Sequence, residues 1–107
     1  MTNEVRLAGR VSRAPEERLL PSGDRVVSFR LAVPRDTAAA RSGSDWVDCA
    51  AWSARLRRAV AGWEVGDEVE VTGALRRRVF RAGHRAVPLV EIEIGVARRL
   101  VRSGGRA

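Results

Sequence analysis

The 107-residue chain has no lysine: all 20 of its basic residues are arginine, against 13 acidic residues, and the formal net charge is +7. The missing lysine reads as a coding bias toward arginine and alanine. Arginine still has consequences, because its planar fork pairs with phosphate bidentately and stacks on bases. One cysteine, Cys49, excludes an intramolecular disulfide. No Cys/His set has metal-ligand spacing, so no metal and no cofactor are expected. No apolar run approaches the roughly 20 residues of a membrane-spanning helix. No basic amphipathic helix of useful length appears either, so a membrane partner is not expected. Met1-Thr2-Asn3-Glu4 lacks the apolar core of a signal peptide, and the expected location is cytoplasmic. The single histidine, His84, has no nucleophile or metal set to pair with it in sequence, so no catalytic residues and no enzyme activity are expected. A pI near 11.5 on a chain of this size favours an anionic partner, nucleic acid above all.

The apolar pattern is that of strands. From Glu4 to Arg13, Val5, Leu7, Gly9 and Val11 alternate with Arg6, Ala8, Arg10 and Ser12. Gly9 in mid-strand reads as a bulge or tight bend, and Ala14-Pro15 as the end. A turn at Leu19–Asp24 precedes a second strand, Arg25 to Val33, with Val27, Phe29, Leu31 and Val33 facing the core. Arg35 to Ser44 reads as a loop. Asp45 to Trp52 is a third strand. Ser53 caps a short helix, Ala54 to Gly62, with Leu56, Ala59, Val60 and Trp63 on its core side. A fourth strand, Glu68 to Val79, turns Val69, Val71, Gly73 and Leu75 inward. Arg81-Ala82-Gly83-His84 is a hairpin tip. A fifth strand runs from Arg85 to about Arg99, with Pro88 marking an irregular or edge start. The expected fold class is all-β: a five-stranded Greek-key barrel with one helix between strands 3 and 4, the OB-fold layout. Residues 1–102 form the domain and 103–107 a short flexible tail.

Two segments carry the functional signal. In the third strand, Trp46, Asp48, Ala50 and Trp52 share one face, while Val47, Cys49 and Ala51 face the core. Two large aromatics on the non-core side form either a stacking platform for bases or the cover of a second core or subunit interface. The other segment is Arg76-Arg77-Arg78-Val79-Phe80-Arg81. It reads as a finger whose arginines neutralise phosphates and whose ring stacks, or as a solvated hairpin with Phe80 packed on its neighbour.

The chain resembles the bacterial single-stranded DNA-binding protein family over essentially its whole length. The resemblance is carried by Asn3–Val11 with Pro15-Glu16, Pro21-Ser22-Gly23, Val26–Ala32, Trp46–Trp52, Gly66–Val69 and Gly73–Arg76. It implies that Trp46, Trp52 and Phe80 stack on bases. Arg76 and Arg78 match basic positions of the family, and Arg6, Arg10 and Arg13 are weaker matches. A fourth stacking position falls at about Thr37, where this chain has no aromatic. The family continues into an acidic tip that recruits other proteins; this chain ends in Arg102-Ser103-Gly104-Gly105-Arg106-Ala107, so no such recruitment is expected.

The resulting expectation is binding and protection of single-stranded DNA in replication, recombination or repair, nucleoid-associated and with no enzymatic step. The DNA-binding residues are Trp46, Trp52, Phe80, Arg76, Arg78, Arg77, Arg81, Arg10 and Arg6. By analogy the chain forms a homo-oligomer, a tetramer in preference to a dimer. Two alternatives accompany it: a dimeric primosomal replication-restart protein, and an interaction module that binds no DNA and co-assembles with a related protein.

Overall fold

The computed structural model describes residues 1–35 and 43–104, with the backbone alone at Phe80 and Ala82. Five strands and one helix follow in the order β1 (Val5–Leu19), β2 (Arg25–Pro34), β3 (Ser44–Ala51), α1 (Ala54–Ala61), β4 (Glu68–Ala82) and β5 (Arg85–Val101). They close into a barrel in the order β1-β2-β3-β5-β4, all antiparallel except the short parallel pairing of β3 with β5. This is the OB-fold.

Alternation sets the interior. Val11, Val27, Phe29, Leu31, Cys49, Ala51, Val69, Val71, Ile92 and Ile94 fill the barrel. α1 begins where the Ser53 side chain accepts the Leu56 N–H. It packs Val60 and, just past its end, Trp63 over this core, and Trp63 meets Phe29 edge-on at 5.2 Å between ring centres. Ala59, expected on the core side, is exposed.

β1 does not end at Pro15. It bends through register shifts between Val11 and Arg13 and between Arg13 and Glu16, and pairs with β2 as far as Leu19. A proline lacks the ladder donor, and such an irregular stretch is where a strand tolerates it. Gly9 is not the bulge; it pairs in register with Val69. Its role is close approach: a Cβ there would lie 2.5 Å from the Ala32 carbonyl oxygen, where β1 passes from β4 to β2.

β4 and β5 extend as a two-stranded arm that closes at Gly83-His84, with Gly83 at φ +64°. Pro88 sits in this arm opposite Val79, and β3 pairs with β5 only further along, at Glu91–Glu93. Leu75, expected to face inward, is half exposed because the arm outruns the barrel that would cover it; Val79 follows the same side. At the other end, the buried carboxylate of Asp67 accepts the backbone N–H groups of Glu64 and Ser103 and the Arg99 guanidinium. Burial alone would raise its pKa. The three donors overcome that and hold the carboxyl below the usual carboxylate range.

Candidate nucleic-acid interface

Strand pairing lays the outer face of the barrel out in rows. One row runs Arg10, Ala32, Trp46 across β1, β2 and β3. The next crosses all five strands: Arg13, Arg30, Asp48, Glu91, Arg76. A third runs Glu16, Ser28, Ala50, Glu93, Ala74. Trp52 follows just past the end of β3. The two tryptophans therefore stand on either side of a charged band, six residues apart along the chain, or roughly 20 Å if the backbone is fully extended.

The two rings are not equivalent. Trp46 is 70% exposed, whereas Trp52 is half buried and its Nε1 is enclosed without a hydrogen-bond partner. Each has an arginine over its ring. The Arg30 guanidinium lies 5.5 Å from the Trp46 centroid, and that of Arg78 lies 4.8 Å from Trp52. Carboxylates hold both arginines in place. Arg30 Nε donates to Asp48 Oδ1 at 3.0 Å, and Arg13 Nη2 donates to the same oxygen at 3.3 Å. Arg78 donates through Nε to Glu91 Oε2 at 2.9 Å and through Nη2 to Glu93 Oε1 at 3.0 Å. Arg76 Nε reaches the same Glu93 oxygen at 3.2 Å. Glu91 is only 7% exposed, and its pairing with Arg78 is what makes that burial tolerable.

A groove of about 430 Å³ lies beside Trp52, bordered by Arg18, Ser28, Arg77, Arg78, Leu89 and Glu91 among others. Beneath Asp48, Cys49 is sealed in the barrel wall. Burial, reinforced by the charges of Asp48 and Glu91, pushes its thiol up to about 12, so the sulfur is no nucleophile near neutrality.

Of the residues singled out from the sequence, Trp46, Trp52, Arg76 and Arg78 come together on this face. Arg10 joins it at the end of the Trp46 row. Arg77 and Arg81 lie on the exposed arm, with no carboxylate partner among the described residues. The Phe80 backbone is in β4 opposite Val87, but its side chain lies outside what is described, as does Thr37. Arg6 is placed elsewhere. It pairs with Glu70, which also takes Arg98, in a cluster on β1, β4 and the last part of β5 that contains no aromatic. The Arg6 hydrogen bond, with Arg98 behind it, holds the Glu70 carboxyl below the usual carboxylate range.

Sequence reasoning overlooked Arg18, Arg30, Glu91 and Glu93 as members of the face. Arg30 was within reach, because Phe29 and Leu31 point inward and leave it on the outer phase. The same holds for Glu91 and Glu93 around Ile92. Arg18 carries no such signal, because Pro15 reads in the sequence as the end of β1.

Among the described residues there is no group of His, Cys, Asp and Glu that could hold a metal, and no helix is long and apolar enough to cross a membrane. Residues 2–96 match the single-strand binding protein family. The chain is 35% identical over 83 residues to single-stranded DNA-binding protein A of Bacillus subtilis, covering 75% of this chain and 48% of that protein. It is 32% identical over 74 residues to single-stranded DNA-binding protein 1 of Synechocystis, covering 69% and 61%. The chain thus spans about half to three-fifths of the length of these relatives. Among solved structures it resembles the Plasmodium falciparum SSB in complex with ssDNA, with TM-score 0.77 and 25% identity over 94% of this chain and 96% of that one. It also resembles the small single-stranded DNA-binding protein of Streptomyces coelicolor, with TM-score 0.68 and 25% identity over 92% and 95%. On the family match and these relatives, the chain belongs to the single-strand binding protein family.

Proposed function

We propose that the chain binds and protects single-stranded DNA, without a defined recognition sequence and without an enzymatic step, in replication, recombination or repair. The observation that carries this reading is the pair of outward tryptophans, Trp46 and Trp52, set among arginines on one continuous barrel face. Every base has a face that stacks, and every nucleotide a phosphate that a guanidinium can neutralise, so such a surface tracks a strand irrespective of order. Phe80, on the arm, extends the stacking set; Arg10, Arg18, Arg77 and Arg81 supply charge with no carboxylate partner among the described residues, and Arg76 and Arg78 add guanidiniums already shared with Glu91 and Glu93. Such a ligand places the chain with the nucleoid. By the family likeness it assembles as a homo-oligomer, a tetramer in preference to a dimer.

The test is intrinsic tryptophan fluorescence during titration with oligonucleotides at low and high salt. Trp63 is buried against Phe29, so quenching reports on Trp46 and Trp52. Salt-dependent quenching that saturates at a fixed number of nucleotides per chain supports the proposal. Absence of both quenching and binding at low salt overturns it. Sedimentation analysis of the same samples separates dimer from tetramer.

A further inference from the structure

The ribbon formed by the far ends of β1 and β2 has two faces. Its register pairs are Glu16 with Ser28, Glu17 with Val27, Arg18 with Val26 and Leu19 with Arg25. Alternation turns Arg18, Val26 and Ser28 to the side of the tryptophans, where they border the groove beside Trp52. Glu17, Arg25 and Val27 face the other way, toward α1. Between that back face and the helix runs a second groove, of about 340 Å³.

The floor of this second groove is apolar, made by Pro15, Val27, Ala54 and Ala61. Arg57 and Arg58 stand at its side, and no aromatic residue lines it. Arg57 is held in place without being neutralised. Its Nη1 donates to two backbone carbonyls, those of Trp52 and Arg25, and its Nη2 has no hydrogen-bond partner among the described residues. Among those residues Glu17 is the only carboxylate that lines the groove. It lies 3.9 Å from Arg57 and 3.7 Å from Arg25, beyond hydrogen-bonding distance of either. Arg58 is exposed and has no carboxylate partner among the described residues. The guanidiniums of Arg25, Arg57 and Arg58 thus outnumber the carboxylate they share.

We infer that this groove docks an acidic segment of a partner protein. Carboxylates of the segment pair with Arg57 and Arg58, and an apolar side chain between them lies over Val27. The excess of guanidinium selects an anion, and the apolar floor selects one that alternates charge with hydrocarbon. A polypeptide can do so. A DNA strand offers phosphates and flat bases, and this groove has no ring for a base to stack on. The two grooves lie on opposite faces of one ribbon, so the segment and DNA bind together. Docking here does not depend on the DNA-binding proposal.

The probe is a labelled peptide of alternating aspartate and leucine, followed by fluorescence anisotropy at physiological salt, where distant charges are screened. The controls, of equal length, are an all-aspartate peptide and one of alternating asparagine and leucine. The acidic alternating peptide should bind about tenfold or more tighter than either control, the worth of one buried leucine or of one charge-assisted hydrogen bond. Saturating oligo-dT should leave it bound. Arg58→Glu reverses a charge at the groove, and Ala61→Gln fills it. Each should weaken the peptide about tenfold and leave affinity for oligo-dT unchanged.

Equal binding of the all-aspartate peptide overturns the inference, since charge alone then accounts for it. So does equal binding of the asparagine peptide, or no saturable binding of any. Displacement of the peptide by oligo-dT overturns it as well and assigns the groove to the DNA path. A peptide affinity that both variants leave unchanged does the same for the site itself. Tryptophan quenching by oligo-dT is read separately, so each of these failures leaves the DNA-binding proposal standing. The peptide comparison on the unaltered chain needs no substitution, so a variant that fails to fold does not remove the test.

Discussion

Trp46, in β3, and Trp52, just past its end, share one phase of the alternation and still differ in kind. Trp46 is largely exposed beneath Arg30, whereas Trp52 is wedged beside the groove under Arg78. Replacing either by alanine should weaken DNA binding by roughly 1–3 kcal/mol, the worth of one stacked base. Thermal melts should separate the two. Trp46→Ala should leave the melting temperature within a degree or two, because little contact is lost. Trp52→Ala should lower it clearly, because buried ring area is lost as well. Cys49 gives a second prediction at this scale. In the unfolded chain the thiol ionises at its ordinary value of 9.0, whereas in the barrel burial holds it neutral up to about 12. A raised folded-state pKa means that its stability contribution is full below the unfolded value and is lost as pH rises through the folded one. With no lysine and no tyrosine to ionise in that window, denaturant midpoints should fall between these pH values. The slope should be about 1.4 kcal/mol per pH unit, and Cys49→Ala should largely flatten it.

At the scale of elements, most of the barrel was legible from period-2 alternation. Val27-Phe29-Leu31 and Val47-Cys49-Ala51 turn inward as their spacing demands, and the strand–strand–strand–helix–strand–strand order identifies the fold. What was not legible depends on neighbours distant in sequence. Pro15 looks like a stop, yet the bend between Val11 and Glu16 carries β1 onward beside β2. Leu75 looks like core, yet it lies where the arm has left the barrel. The candidate site divides the same way: the tryptophans and the arm arginines are plain in the sequence, but their pinning by Asp48, Glu91 and Glu93 appears only once β3 and β5 pair. The clasp at Asp67, which ties the end of β5 to the turn before β4, is another contact of this kind. Asp67→Ala should cost on the order of 3 kcal/mol, since Arg99 and two backbone N–H groups lose an ionised acceptor in the interior. The folded-state pKa of Asp67 is depressed. Its contribution is therefore present above the ordinary carboxylate value, near 4, and is lost as pH falls through the folded one. Urea melts from neutral to acidic pH should show a smaller acid loss in Asp67→Asn than in the unaltered chain.

At the scale of the whole molecule, the count of 20 arginines overstates the charge free to meet phosphate. Arg13, Arg30, Arg76 and Arg78 are already engaged with carboxylates on the face itself, and Arg6 and Arg98 are engaged with Glu70. Arg18, beside Trp52, has no such partner among the described residues. The salt dependence of binding should therefore follow individual arginines rather than the total. Arg18→Ala should reduce the slope of log affinity against log salt by about 0.7, the value of one phosphate contact on a single strand. Arg6→Ala should leave that slope unchanged. Titrations at four or more salt concentrations would resolve the two.

The all-arginine composition has a consequence for control of this face in the cell. Charge on nucleic-acid-binding surfaces is commonly switched by acetyl transfer to lysine, which removes a cation and its donors. None of these 107 residues is a lysine, so that switch has no substrate in them. Methyl transfer to arginine keeps the charge and only blocks its paired donors. The grip of this surface on a polyanion is thus set by salt and by its own carboxylates, with no lysine side chain among these residues to acetylate.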